Sequence, residues 1–248
     1  MSKIKRVFFK KDLTQIIKQK HKLIYNNKDF FKPISIAIQG NNYCSLGTCV
    51  ACGISATNNK NKAKQLPKPI ILDLLKQAYK QGIFLYYTNF TGEITDDLNF
   101  LKKIIYENPK MDAYKINTNC FKFTTLKKSE EIFKKLKKIG WTKTNYVIPI
   151  CALSIGMQEH KVPLINVVYA IKAFKNIFNP KEAKLRISHY YTNNLYKNTF
   201  KRLQKLYKET YGKSINQSIL KSDPITYYGR AKKLPINNFK KQKFKNHK

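Results

Sequence analysis

Three thiols stand close enough along the chain to share one metal centre. Cys44, Cys49 and Cys52 fall in the segment Cys44-Ser-Leu-Gly-Thr-Cys49-Val-Ala-Cys52, with four and then two residues between them. Thiolates select soft metals, and Gly47 and Gly53 let the backbone wrap closely around such a centre. Three buried small hydrophobes in one tight loop would be an unusual use of cysteine. A zinc site needs a fourth ligand, and neither His nor Cys follows at finger spacing. The four-then-two gap matches a plant-type [2Fe–2S] spacing, yet the next thiol, Cys120, lies two strand–helix units further on. A cluster held by three protein thiolates, with one iron left for another ligand, fits the pattern better.

Such a loop needs elements to position it, and the hydrophobic periodicity supplies them. Residues 34–38 read as a strand directly before the cysteines. Residues 71–80 read as a helix with Leu72, Leu75 and Ala78 on one face, stopped by Gly82. A second strand over 83–87 is followed by a helix that Thr95 caps, with Leu98, Leu101, Ile104 and Ile105 at helical spacing. A third strand over 113–116 precedes a helix carrying Ile132, Phe133, Leu136 and Ile139 and ending at Gly140. The fourth strand reads as 146–153, and Pro163 opens a helix with Leu164, Val167, Val168, Ile171 and Phe174 as its buried stripe. A fifth strand at 185–188, a helix over 194–211 and a sixth strand at 225–228 complete the alternation.

Strand–helix alternation of this kind demands parallel strands joined by right-handed crossovers. The expected fold is α/β, a partial (β/α)6 TIM-like barrel with parallel strands, occupying 31–234. A doubly wound open sheet is the competing topology. Residues 1–30 read as an N-terminal helical extension and 235–248 as a basic, poorly ordered tail. The unusual polar residues, Glu93, Asn119, Ser154, His160, His189 and Arg230, fall just after expected strands, as the cysteines do. In a parallel barrel those ends share one face, where sites are built. Each also has a plainer reading: Glu93 as a solvated loop acid, Asn119 as an Asx-turn residue, Ser154 as a satisfied hydroxyl. His160 suits a helix-entry cap as well as a catalytic role. His189 reads as structural, and Cys120 and Cys151 as buried small hydrophobes.

The 248 residues carry 49 Lys or Arg against 14 Asp or Glu, a formal net charge of +35, with 42% hydrophobic residues. That excludes a collagen-like or broadly disordered chain. The charge would favour phosphate, but only Arg6, Arg186, Arg202 and Arg230 are arginines. Lys, Asn, Ile, Tyr and Phe are favoured by AT-rich codons, so the balance reads mainly as compositional. Nucleic acid as a partner is left open but not favoured. No signal-peptide pattern or membrane span is legible, the expected location is cytoplasmic, and five cysteines there argue against disulfides.

With these residues in view, the sequence resembles the radical S-adenosylmethionine (radical SAM) superfamily over roughly 33–234. That family's hallmark is three cysteines in the loop after the first strand of a partial (β/α) barrel, usually spaced three then two. Phe90-Thr91-Gly92-Glu93 resembles its Gly-Gly-Glu segment, which implies that Gly92 and Glu93 meet the methionine amino group of S-adenosylmethionine (SAM). Lys115-Ile-Asn-Thr118-Asn119 is similar to its Thr-Asn-Gly segment, with Cys120 standing at the Gly position. Ser154 sits where a polar residue commonly reaches the ribose. Gln158-Glu-His160 before Val162-Pro163-Leu164, and Tyr228-Gly-Arg-Ala231, resemble further segments of some members. Ala51 replaces the aromatic usual before the third cysteine, and Thr91 the first Gly of Gly-Gly-Glu.

The resemblance implies a [4Fe–4S] cluster on Cys44, Cys49 and Cys52, with the methionine groups of SAM on the fourth iron. It implies reductive cleavage to a 5′-deoxyadenosyl radical that takes hydrogen from a substrate, a peptide or small metabolite being favoured. An external flavodoxin- or ferredoxin-like reductant would supply the electron. The alternative is a non-catalytic iron–sulfur or zinc protein that binds nucleic acid through its lysine-rich surface.

Overall fold

The computed structural model describes residues 33–47, 49, 52, 55–88, 92–156, 159, 161–191 and 196–224. The extension expected over 1–30, the tail over 235–248, the strand expected at 225–228, and Phe90, Thr91, Gln158, His160 and Arg230 lie outside them. Strand β1 (Ser35–Ala37) leads through a long loop to helix α1 (Lys68–Lys80), and β2 (Leu85–Tyr87) to α2 (Leu98–Glu107). Then follow β3 (Asp112–Thr118), α3 (Leu126–Lys138), β4 (Ile150–Gly156), α4 (Leu164–Ile177), β5 (Lys184–Tyr191), α5 (Thr199–Tyr211) and β6 (Leu220–Pro224). No helix among the described residues is long and apolar enough to cross a membrane.

All neighbouring strands pair in parallel, in the order β1-β2-β3-β4-β5-β6. Each right-handed crossover therefore steps in the same direction, so the helices collect on one side of the sheet and the sheet curls away from them. A doubly wound sheet would reverse its order at a switch point, and none exists here. The fold is the partial α/β barrel that the alternation predicts.

Period-two alternation sorts the strands into two faces. Ile116, Leu153 and Ile187 are fully buried on one face, while Lys115, Asn117, Ser154, Lys184, Arg186 and Ser188 occupy the other. The apolar face meets the helices, where α3 packs on α4 and α4 on α5. Phe133 of α3 meets Phe174 of α4 edge-on at 5.5 Å.

Three expectations are corrected. Thr95 does not cap α2: it lies in a short 3-10 turn, Ile94–Asp96, and Asp97 caps the helix by accepting from the Phe100 N–H at 3.0 Å. Strand β4 starts at Ile150 rather than 146 because Pro149 has no N–H for a ladder. The N–H groups of Tyr146 and Val147 donate instead to the buried Asp112 carboxylate, at 2.7 and 3.0 Å. A sixth strand lies at Leu220–Pro224, before the stretch expected for it, and pairs with β5 from Ile187↔Leu220 onward. Its sequence, Leu-Lys-Ser-Asp-Pro, shows no apolar alternation, and Pro is tolerated because an edge strand need not donate on its open side.

Candidate metal and cofactor site

The cysteine loop closes on itself before it meets anything else. Leu66 N–H donates to the Gly40 carbonyl at 2.6 Å, Thr57 N–H to Asn42 at 2.8 Å and Cys44 N–H to Thr57 at 2.9 Å. Gly47 sits at φ +57 where an added Cβ would lie 2.2 Å from the Asn58 nitrogen, so only glycine permits this fold of the loop. Cys44 and Cys49 are buried and Cys52 half-buried. The Ala56 N–H donates to Cys52 Sγ at 3.3 Å.

Two further loops from the same sheet end close on this one. Gly92, after β2, donates its N–H to the Tyr43 carbonyl at 2.9 Å. Asp96 Oδ2 accepts from the Ser45 N–H at 2.7 Å, and Asp96 Oδ1 pairs with Lys122 at 2.7 Å. After β3, Asn119 Nδ2 donates to Cys44 Sγ at 3.4 Å while its Oδ1 accepts from the Phe121 N–H at 2.8 Å. Asn119 is thus both the Asx-turn residue of the plainer reading and a neighbour of the thiol.

Glu93 joins the loops from within and is not the solvated acid of the plainer reading, being 1% exposed. Its Oε1 accepts from Thr95 N–H (3.2 Å), Thr95 Oγ1 (2.8 Å) and Thr118 Oγ1 (2.7 Å), and its Oε2 from Asn119 N–H (2.7 Å). No ion pair to it occurs among the described residues. Burial raises its pKa above the usual carboxylate value, against the opposing pull of those hydrogen bonds. Burial, with the Glu93 charge adding to it, also pushes the Cys44 thiol up to about 11. A metal binding there must displace a proton, and a positive centre between thiol and carboxylate would stabilise both anions.

Among the described residues no three His, Cys, Asp or Glu side chains converge as ligands of one metal ion. Cluster ligation poses a different demand, since each thiolate binds its own iron. The donor set fits a cluster: three cysteines in one closed loop, with N–H groups directed at Cys44 and Cys52 sulfurs.

Of the other expected residues, Ser154 is buried and lies inside β4, two residues before its end, rather than after it. His189 lies inside β5, and its Nε2 meets the Tyr196 carbonyl at 2.8 Å, a structural bond. Cys120 and Cys151 are fully buried. Cys120 has φ +62, a left-handed conformation that suits the glycine of the Thr-Asn-Gly segment and is strained for cysteine. Sequence reasoning missed Asp96, Thr95 and Thr118 as the ties between loops. The available signal was acid placement: Glu93, Asp96 and Asp97 fall within five residues in a chain with only 14 acids.

Burial lowers the His189 pKa, partly opposed by the Tyr196 carbonyl and Glu159. A histidine depressed in the folded state contributes stability that is present above its unfolded pKa and is lost as pH falls through the folded one. The melting temperature should therefore drop as pH falls below about 6.5, and His189→Gln should flatten that slope. Parallel pH profiles in the two proteins would place the effect elsewhere.

No family model matches the chain, and no curated protein matches it. Among solved structures it is similar to the FeFe-hydrogenase maturase HydG from Carboxydothermus hydrogenoformans, at 17% identity and a TM-score of 0.48, over 86% of this chain and 49% of that one. A second structure, of HydG described as a maturase of the FeFe-hydrogenase, has 14% identity and a TM-score of 0.46, over 90% of this chain and 50% of that one. The chain spans about half the length of each.

Proposed function

We propose that the chain is a radical SAM enzyme, with Cys44, Cys49 and Cys52 holding a [4Fe–4S] cluster. The observation that carries this reading is the closure of three strand-end loops on Cys44, through Gly92, Glu93 and Asn119. When bound, the cluster and SAM supply one-electron reductive chemistry and hydrogen-atom abstraction. The residues of this chain supply placement. Among the described residues Glu93 Oε2 accepts the Asn119 N–H alone, which leaves acceptor capacity for the ammonium of SAM. Asn119 directs its amide at Cys44 and so orients the sulfur. Gly92 keeps the second loop close enough for Glu93 to reach that point, and Ser154 stands on the concave face as a hydroxyl for the ribose. Burial of Cys44 and Glu93 keeps water from the centre. The substrate class favoured is a peptide or small metabolite.

The test is anaerobic reconstitution with iron and sulfide, followed by a SAM-cleavage assay under reduction. About four irons per chain and release of 5′-deoxyadenosine are expected. Stoichiometric zinc without a brown chromophore would overturn the reading. Iron without SAM cleavage, together with salt-resistant RNA or DNA binding, would favour a non-catalytic nucleic-acid-binding protein.

A further inference from the structure

Halfway along its strands the inner face of the sheet is polar, one row below the residues that the cofactor reading uses. Asn117 of β3 pairs with Ala152 of β4, and Ala152 with Arg186 of β5, so the three stand side by side across the sheet. Barrel interiors are normally filled by layers of branched apolar side chains. This row carries a carboxamide, a methyl group and a guanidinium instead. Neighbouring strands lie about 4.8 Å apart, so the Asn117 and Arg186 backbones are separated by about 10 Å, with only the short Ala152 side chain between them. Both flanking residues are half-buried rather than sealed off, which leaves them within reach of a ligand.

Asn117 is only half paired. Its Nδ2 donates to the phenol of Tyr87, while its Oδ1 is buried without a hydrogen-bond partner. The Tyr87 ring is held on the same face by the Lys115 ammonium, 4.9 Å from its centroid. Turning the amide end for end only exchanges the two atoms: the phenol serves one, and the other stays unpaired. Buried polar atoms without partners are rare, and among the described residues only Ser45 and Tyr86 hold others. A peptide unit satisfies the leftover atom in either setting, because it offers an N–H and a C=O together.

Arg186 faces this carboxamide with a guanidinium that no carboxylate or carbonyl takes up among the described residues. Its planar fork suits two-point recognition of a carboxylate. Lys115 and Lys184, which flank Ile150 one row down, have partners of their own and are not needed as ligands. Their charge still disfavours an ammonium nearby. A free amino acid brings both a carboxylate and an ammonium, whereas the last residue of a peptide brings a carboxylate and a neutral N–H. The row lies two strand positions, about 7 Å, below Ser154 and its partner Ser188, so a residue bound there sits beneath the cofactor end of the barrel.

We propose that Asn117 and Arg186 bind the C-terminal residue of a peptide, Arg186 taking its carboxylate and Asn117 its peptide group. Calling that peptide the substrate rests on the radical SAM reading; its binding does not.

The experiment is saturation-transfer NMR on the full chain at about 0.15 M salt, where exposed charges are screened beyond ~8 Å. The probes are the N-acetyl forms of the common amino acids, which copy a peptide's last residue, their N-acetyl amides, and the free amino acids. At least one N-acetyl acid should bind, its amide about tenfold or more weakly, and its free amino acid more weakly than the N-acetyl acid. Arg186→Gln should lose about tenfold or more in affinity, and Asn117→Ala severalfold. Lys201→Gln, which removes one charge from the exposed face of α5, should bind as the unaltered protein does. Should Arg186→Gln melt too low to measure, Arg186→Lys carries the test: it keeps the charge, loses the fork, and should weaken binding severalfold. Absence of binding overturns the proposal, as does equal affinity for the amide, preference for the free amino acid, unchanged affinity in Arg186→Lys or Asn117→Ala, or an equal loss in Lys201→Gln. Binding that meets these criteria in a protein that never cleaves SAM after reconstitution would leave the peptide site standing and sink the radical SAM reading. SAM cleavage without binding of any N-acetyl acid would sink the site alone.

Discussion

Replacing Glu93 with alanine is expected to destabilise the protein by several kcal/mol and to abolish iron incorporation with it. The carboxylate is the acceptor for four donors, Thr95 N–H, Thr95 Oγ1, Thr118 Oγ1 and Asn119 N–H, all in a buried site. Each donor left without a partner costs about 1–3 kcal/mol, and a whole domain has only about 5–15 kcal/mol to lose. A role in cofactor binding alone, which the sequence resemblance implies for Glu93, is therefore incomplete: the residue also ties the loop after β2 to the loop after β3. Glu93→Gln separates the two tasks. It keeps the shape and most of the hydrogen bonds, so the melting temperature should change little while SAM affinity falls with the lost charge. A Glu93→Ala protein as stable as the unaltered one, by thermal melt, would contradict the structural task.

The same carboxylate gives the iron-free protein a pH dependence of defined sign. Burial raises the Glu93 pKa in the folded state. A raised carboxylate contributes stability that is fully present below its unfolded pKa and is lost as pH rises through the folded one. Melts of iron-free protein should thus show stability declining as pH climbs out of the ordinary carboxylate range, and Glu93→Gln should remove that decline.

Gly92→Ala is expected to leave the sheet intact and the metal site empty of iron. An added Cβ at this position would lie 2.4 Å from the Tyr43 carbonyl oxygen and 2.8 Å from Cys44 Cβ. Both contacts are with the cysteine loop itself, and the nearest is backbone, which cannot swing aside as a side-chain end can. The loop must retreat, breaking the Gly92–Tyr43 hydrogen bond and drawing Cys44 away from Asn119. Circular dichroism should stay close to that of the unaltered chain, because the strands pair elsewhere, while iron per chain after reconstitution falls severalfold or more. Full iron loading in this variant would show that the two loops need not touch.

The alternation of apolar runs with helical stripes was enough to read parallel strands joined by helices, while the choice between a partial barrel and a doubly wound sheet fell to the strand order. Leu72, Leu75 and Ala78 on α1, or Phe133 and Leu136 on α3, are the buried residues their spacing predicts. The cysteine triplet was legible for a similar reason, since clustered thiols in a short segment are local information. β6 was misplaced because an edge strand of sequence Leu-Lys-Ser-Asp-Pro is held by its ladder to β5 and not by an apolar pattern of its own.

What the sequence by itself determined, then, was whatever depends on near neighbours: the period of each element, the parallel connections it forces, and the chemistry of the Cys44–Cys49–Cys52 loop. The tertiary structure decided which distant groups complete one another. Asn119 meets Cys44 across 75 positions, and Glu93 takes the N–H of Asn119 across 26. Asn117 and Arg186 come into one row only when β3, β4 and β5 are in register. The cost of burying a carboxylate or leaving an amide unpaired depends on the dielectric and on the partners that folding brings, and neither is encoded by spacing along the chain.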